Sequence, residues 1–204
     1  MTCPSMEKML DLFIIIAYTV VCLSLGGALV RNGPFEIERR YLIRRPDELW
    51  LDGAAERSEI VQTYLTGDDG ATERVRMRRN GESTAYTHTI KHRVNDLRSV
   101  EIETEIEADE YAELLKRADP RRAAICKTRY CLPYCGQTFE IDLYPFWKDQ
   151  ALMEIELTDE GQAVSLPPGI ELLREVSGDR RYSNASLARE LAKRSQGPLI
   201  GKEE

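Results

Sequence analysis

A basic surplus is what this 204-residue chain most clearly lacks: 28 Lys and Arg stand against 35 Asp and Glu, a formal net charge of −7. Nucleic-acid-binding modules carry a basic footprint, so no nucleic-acid partner is expected. Cysteine is sparse as well. The five, Cys3, Cys22, Cys126, Cys131 and Cys135, are odd in number and too thinly spread for the stapled framework of a small secreted domain, and they read as free thiols. Structural zinc needs four ligands in a tetrahedron. Cys126, Cys131 and Cys135 find no fourth at a suitable spacing, and the two histidines, His88 and His92, lie far away in sequence. Internal repeats and low-complexity tracts are missing too, and the length fits one domain with extensions.

Charge is missing altogether from residues 12–30, LFIIIAYTVVCLSLGGALV, a run close to the ~20 apolar residues that cross a bilayer. A membrane anchor is the first reading. A cleaved signal peptide competes with it, although its first residues should be basic and Lys8 is here offset by Glu7 and Asp11; a start codon placed too far upstream is the third reading. If the segment spans, the cationic flank of Arg31, Arg39, Arg40, Arg44 and Arg45 leaves the domain in the cytoplasm. The chain then divides into an apolar segment at 1–31, a domain at 32–190 opened by the break Asn32-Gly33-Pro34, and a tail at 191–204.

Within the domain, alternating segments at 35–43, 59–65, 73–79, 84–93, 98–107, 125–132, 136–144 and 151–158 read as eight strands. They predict an α+β but mainly antiparallel β domain, a barrel or sandwich with few helices. Asn80-Gly81 between two alternating runs is a hairpin signal, because both residues tolerate positive φ. Helices are expected at Ala108–Ala118, with an Asp109 start and a Pro120 stop, and from about Ser183 to Arg194, with a short turn over Pro46–Leu51. The last of these helices is placed to plug one end of a barrel.

Charge follows the strand period. A strand alternates its faces every residue, so Glu36, Glu38 and Arg40 share a face, as do Arg74, Arg76 and Arg78; Thr89 and Lys91; Glu101, Glu103 and Glu105; Lys127 and Arg129; Glu140 and Asp142; and Glu154 and Glu156. Ile37, Val75, Met77, Ile102, Ile141, Ile155 and Leu157 take the other face. The plain explanation is a solvated sheet face. Against it, like charges recur two residues apart on strand after strand, and such crowding disfavours ionisation unless counter-ions intervene. If the strands close with the charged face inward, the carboxylates offer hard oxygens to Mg²⁺ or Mn²⁺, and the Arg and Lys side chains offer donors to phosphate oxygens. Together they describe a site for a polyphosphate and a metal.

The same residues resemble the CYTH domain, or triphosphate tunnel metalloenzyme, family. Its ExExK opening is matched by Glu36-Ile37-Glu38-Arg39-Arg40, with arginine in place of the lysine. The resemblance continues in order through 60–65, 75–78, 89–91, 101–103, 127–134, 139–143, 153–157 and REVSGDRRYSNASL at 174–187. It implies a closed, eight-stranded β-barrel, the triphosphate tunnel, with peripheral helices and a divalent cofactor, Mg²⁺ or Mn²⁺. It also implies that Glu36, Glu38 and Arg40 carry the chemistry. Arg40, Arg76, Arg78, Lys91, Lys127 and Arg129 would bind a small-molecule triphosphate; Glu36, Glu38, Glu101, Glu103, Glu140, Asp142, Glu154 and Glu156 would form the metal-binding acidic wall. Arg40 keeps the charge of the family's lysine but is larger and unsuited to proton transfer. Arg181, Tyr182 and Ser183 read equally as a structural closure, Tyr130 and Trp147 as packing residues, and His92 as outward-facing.

The function so implied is metal-dependent hydrolysis of a triphosphate, first inorganic triphosphate to pyrophosphate and phosphate. Nucleoside or thiamine triphosphate are alternative substrates, and a non-catalytic polyphosphate or nucleotide sensor is an alternative class. The many carboxylates argue against the sensor, since each repels a polyanion unless a metal sits between them. A surface-charged interaction domain would instead leave Glu36 and Glu38 fully in water.

Overall fold

A computed structural model of the chain describes residues 35–67 and 71–195. Strands β1 (Phe35–Arg44), β2 (Glu56–Tyr64), β3 (Thr72–Asn80), β4 (Ser83–Arg93), β5 (Arg98–Ile106), β6 (Ile125–Tyr134), β7 (Gln137–Leu143) and β8 (Gln150–Leu157) hydrogen-bond in the order β5-β4-β3-β2-β6-β7-β8-β1, and β5 pairs again with β1. The sheet is therefore a closed, eight-stranded antiparallel barrel. A ninth strand, β9 (Leu172–Glu175), adds to β1 beside Tyr41–Ile43; four exposed residues with two adjacent leucines gave no alternation by which to foresee it.

Closure sends the alternating faces inward and outward. Outward, Tyr41, Ile43, Tyr130, Leu132, Phe139, Ile141, Leu143, Met153 and Ile155 form a buried cluster beneath helix α1 (Glu48–Ala54), which contributes Leu51. The short turn expected at Pro46–Leu51 is thus a two-turn helix, and Asp47 caps it by accepting a bond from the Trp50 backbone N–H at 3.1 Å. Helix α2 (Ala108–Leu115) ends three residues before the expected Ala118. Among the described residues no helix is long and apolar enough to cross a membrane, and the apolar run at 12–30 lies outside them.

The inner face changes character along the barrel. Two residues beyond Arg40 comes Leu42, two before Lys127 comes Ile125, two beyond Asp142 comes Tyr144, and two before Glu154 comes Leu152. With Tyr64 these inward side chains form a second apolar cluster, which Leu187 and Ala188 of helix α3 (Asn184–Ser195) complete. The C-terminal helix accordingly packs on one end of the barrel interior. The Tyr144 hydroxyl donates to Asn184 Oδ1 at 2.8 Å, and Ser183 Oγ accepts from the Ser186 N–H as the helix cap. Tyr182 lies 6.2 Å from the Trp147 ring, so these residues of the terminal motif serve closure.

Two hairpins show where turn chemistry decides. Asn80 pairs with Ser83, so the loop is Gly81-Glu82, with Gly81 at φ 57°. Between β6 and β7 the loop is Cys135-Gly136, both at positive φ (49° and 72°). Only Gly, and to a lesser extent Asn and Asp, adopts that region cheaply. Cys135→Asn is expected to raise stability by about 0.5–1 kcal/mol, read as an increased denaturation midpoint in reductant.

Candidate active site

Antiparallel register turns the sequence pattern into a three-dimensional set of charges. Arg40 stands opposite Glu154, and Glu38 opposite Glu156, across β1 and β8. Lys91 faces Glu101 across β4 and β5, and Arg129 faces Asp142 across β6 and β7. Nearly every inward acid therefore has a base beside it.

The pairs gather in two groups. In the first, Arg129 holds Asp142 with two nitrogens, Nε and Nη2, each at 2.6 Å. It also reaches Glu154 at 3.1 Å and bonds Glu140. Lys127 Nζ lies 2.5 Å from Asp142 Oδ2. Arg40 Nε donates to Glu154 Oε1 at 2.7 Å and its Nη2 to Glu38. In the second, Lys91 joins Glu36 at 2.5 Å and Glu101 at 2.9 Å. Arg74 takes Glu101 at 2.7 Å, Arg76 lies 3.5 Å from Glu103, and Thr89 donates to Glu103 at 2.9 Å.

These charges are not a solvated face: the side chains of Asp142, Lys127 and Arg129 are 0%, 1% and 8% exposed. Exposure rises toward Glu103 and Glu156, both of which are exposed. Arg78 differs from the other inward cations. Its contacts are Ser58 Oγ at 3.1 Å and Cys131 Sγ at 3.6 Å, and among the described residues no carboxylate lies within ion-pair distance of it. It is a guanidinium with hydrogen-bonding capacity to spare. Arg78→Met is expected to weaken binding of an oligophosphate in the barrel about 10–100-fold, the worth of one charge-assisted bond, while the midpoint of thermal unfolding moves little.

Burial and crowding sort the protonation states. Glu36 is pushed up to about 7; burial is the largest cause, Lys91 opposes it, and Glu101 and Glu38 add to it. Glu101 is lowered to about 2, because Arg74 and Lys91 together outweigh its burial. Of the two acids sharing Lys91, Glu36 is the first to take up a proton as pH falls and Glu101 holds its charge longer. A carboxyl whose folded pKa is raised contributes stability fully below its ordinary value of 4.5 and loses it as pH rises through about 7. In chelator, the melting temperature is expected to fall between pH 5 and about 7.5, and Glu36→Gln to flatten that slope.

The structure thus brings the sequence-derived residues Glu36, Glu38, Arg40, Lys91, Glu101, Lys127, Arg129, Glu140, Asp142 and Glu154 into two linked ion-pair groups, with Arg76 and Glu103 beside the second. Arg78 shares the inner face outside both, and Glu156 lies on that face opposite Glu38. Arg74, Thr89, Ser58 and Gln62 were missed as site residues. Arg74 carried the same parity as Arg76 and Arg78. Thr89 likewise carried the parity of Lys91, whereas Ser58 and Gln62 are neutral, and only closure of the barrel reveals that they are buried on its inner face. His92 is exposed and outward; His88 pairs on the outside with Glu73 at 2.9 Å. Tyr130 packs in the outer core, its hydroxyl 2.9 Å from Asp52. Cys126 and Cys135 are exposed and Cys131 half-buried.

Among the described residues, no three Asp, Glu, His or Cys side chains converge in a group that would hold a metal ion. The physical reason is interleaving: Arg40 stands between Glu38 and Glu154, and Lys91 between Glu36 and Glu101. The donor chemistry nevertheless suits a hard divalent cation, since each acid supplies carboxylate oxygens.

A closed antiparallel barrel lined with alternating acids and bases defines a receptor for an oligoanion inside the barrel. The comparisons identify which kind. The CYTH domain model matches residues 34–189, and the chain belongs to that family. It is 31% identical over 156 residues to an inorganic triphosphatase of Nitrosomonas europaea, covering 75% of this chain and 96% of the relative. It is 32% identical over 130 residues to an inorganic triphosphatase of Acetivibrio thermocellus, covering 63% and 78%. Among solved structures it is similar to that of the inorganic triphosphatase NE1496, with 30% identity, 80% and 97% coverage and a TM-score of 0.49.

Proposed function

We propose that the chain is a metal-dependent hydrolase of inorganic triphosphate, releasing pyrophosphate and phosphate. The observation that carries this reading is the inward set of cations, Arg40, Arg74, Arg76, Arg78, Lys91, Lys127 and Arg129, distributed along one closed interior with carboxylates between them. A linear triphosphate is a chain of anionic centres, and spaced cations meet it along its length. The names of the relatives at 31% and 32% identity support the same substrate.

In this reading Arg78 and Arg76 engage the phosphate oxygens first, since among the described residues Arg78 has no carboxylate to give up and Arg76 is held only at 3.5 Å. Lys91, Arg129 and Arg40 complete the cradle and offset charge on the departing phosphate. Glu36 and Glu38 on β1, with Glu156 opposite Glu38 and Glu154 opposite Arg40 on β8, are the carboxylates that would hold Mg²⁺ or Mn²⁺. The bound cation would supply Lewis-acid charge to the phosphate chain. Residues that orient the attacking water belong to the same acidic wall, among Glu101, Glu103, Glu140 and Asp142.

The test is phosphate release by the full chain on inorganic triphosphate, ATP, thiamine triphosphate and pyrophosphate, with Mg²⁺, with Mn²⁺ and with chelator. The expected result is metal-dependent release, fastest from inorganic triphosphate. Faster release from a nucleoside or thiamine triphosphate would change the substrate but keep the class. Tight binding of triphosphate with no release from any of them would make the protein a sensor.

A further inference from the structure

Arg40 is the residue that stands between two of the candidate metal-binding carboxylates, Glu38 and Glu154. Register explains why. Directly opposed side chains on one sheet face have Cβ atoms about 4.5–5.5 Å apart, and β1 places Arg40 opposite Glu154 and two residues beyond Glu38. One planar guanidinium spans both: Nε bonds Glu154 Oε1 at 2.7 Å and Nη2 bonds Glu38 Oε1. Arg129 Nη2 takes the second oxygen of Glu154 at 3.1 Å, so Glu154 is held from two sides.

We infer that Arg40 guards Glu38 and Glu154 against a bare divalent cation, so that the tunnel takes metal and triphosphate together rather than metal first. A divalent cation approaching these carboxylates alone must displace a guanidinium that then has no acceptor in a part-buried interior, and the two cations repel at close range. A metal that arrives with triphosphate brings acceptors along. Phosphate oxygens accept the guanidinium fork as a carboxylate does, so Arg40 exchanges Glu38 for phosphate and Glu38 is released to the metal. Lysine at this position would be a compact point charge on a flexible stem, able to swing aside without breaking a two-carboxylate fork. Arg40 in this way makes metal and substrate binding mutually dependent, and by reciprocity each must tighten the other by the same factor.

This inference rests on the triphosphatase reading, and the experiment separates the two. Mn²⁺ is titrated into the full chain and free Mn²⁺ followed by electron paramagnetic resonance, with and without diimidotriphosphate, a triphosphate that resists hydrolysis, and the Mn²⁺ that the analogue chelates in protein-free solution is subtracted. Wild type is expected to bind Mn²⁺ at least tenfold more tightly with the analogue than without it. Arg40→Gln should bind Mn²⁺ alone at least tenfold more tightly than wild type and lose most of the enhancement. Arg40→Lys, which keeps the charge without the fork, should fall between. The inference is overturned if wild type binds Mn²⁺ equally well in both conditions, or if neither variant binds Mn²⁺ alone more tightly than wild type. Should Arg40→Gln fail to fold by circular dichroism, Arg40→Lys decides alone. Unchanged Mn²⁺ affinities alongside normal phosphate release would remove the guard and leave the enzyme. No release and no analogue binding in wild type would remove the functional reading itself.

Discussion

Asp142→Ala is expected to destabilise the barrel by about 3–5 kcal/mol, the range for breaking a buried charge pair from one side. Asp142 is fully buried and receives Arg129 through two nitrogens and Lys127 through one. Its removal strands an ammonium and part of a guanidinium in the buried part of the interior. Arg129 retains Glu140 and Glu154, so most of the loss falls on Lys127. That group is already lowered to about 8, first by burial and then by Arg129. Lys127→Met placed on top of Asp142→Ala should therefore recover about 1–2 kcal/mol, since it removes the stranded charge and leaves an apolar chain of similar length. A base whose folded pKa lies below its ordinary 10.5 gains relative stability as pH rises from about 8. The single variant should thus be least deficient at high pH. Glu103→Gln is the control: its carboxylate is 39% exposed and 3.5 Å from Arg76, and screening by solvent leaves such a pair worth at most about 1 kcal/mol. Chemical denaturation of the four proteins checks the order.

This contrast also explains what the sequence could and could not carry. Period-two alternation made the barrel's strands and its charged face legible, because the same residues must repeat on one side of every strand. The face's direction was not legible from the pattern: Glu36, Glu38 and Arg40 alternate identically on a solvated sheet and inside a closed one. Family resemblance supplied the inward choice, and the burial of Asp142 and Lys127 bears it out. Partnering was hidden for another reason. Lys91 joins Glu36 over 55 residues and Arg40 joins Glu154 over 114, and such pairs follow from strand order and register rather than from local spacing. Strand β9 was invisible because four exposed residues on an outer edge obey no burial pattern. The apolar end of the interior was written in the sequence, at Leu42, Ile125, Tyr144 and Leu152, but inward apolar residues on strands whose charged face is also inward read as breaks in the alternation until the helix that covers them is seen.

Glu38→Ala separates the chemistry from the scaffold. Unlike Asp142, Glu38 is partly open to solvent, with 22% of its side chain exposed, and it shares Arg40 with another acid, since Arg40 also holds Glu154. Its loss leaves Arg40 paired, so the cost in stability should stay near 1 kcal/mol. The loss in turnover should be far larger. Residues that merely orient metal ligands already change affinity or activity 10–100-fold, and the proposed function makes Glu38 a ligand itself. Metal-dependent phosphate release from inorganic triphosphate is expected to drop at least ~10²-fold. Glu38→Gln, which keeps size and a hydrogen-bond acceptor while removing the charge, should fall almost as far. If both variants fold like wild type and hydrolyse triphosphate at wild-type rates, the first-strand carboxylates belong to the lattice that holds the barrel together, and the metal site has to be sought elsewhere on the acidic wall, at Glu101, Glu103 or Glu140. If Glu38→Ala alone loses activity and Glu38→Gln retains it, the side chain acts as an acceptor that positions Arg40 rather than as a charged ligand.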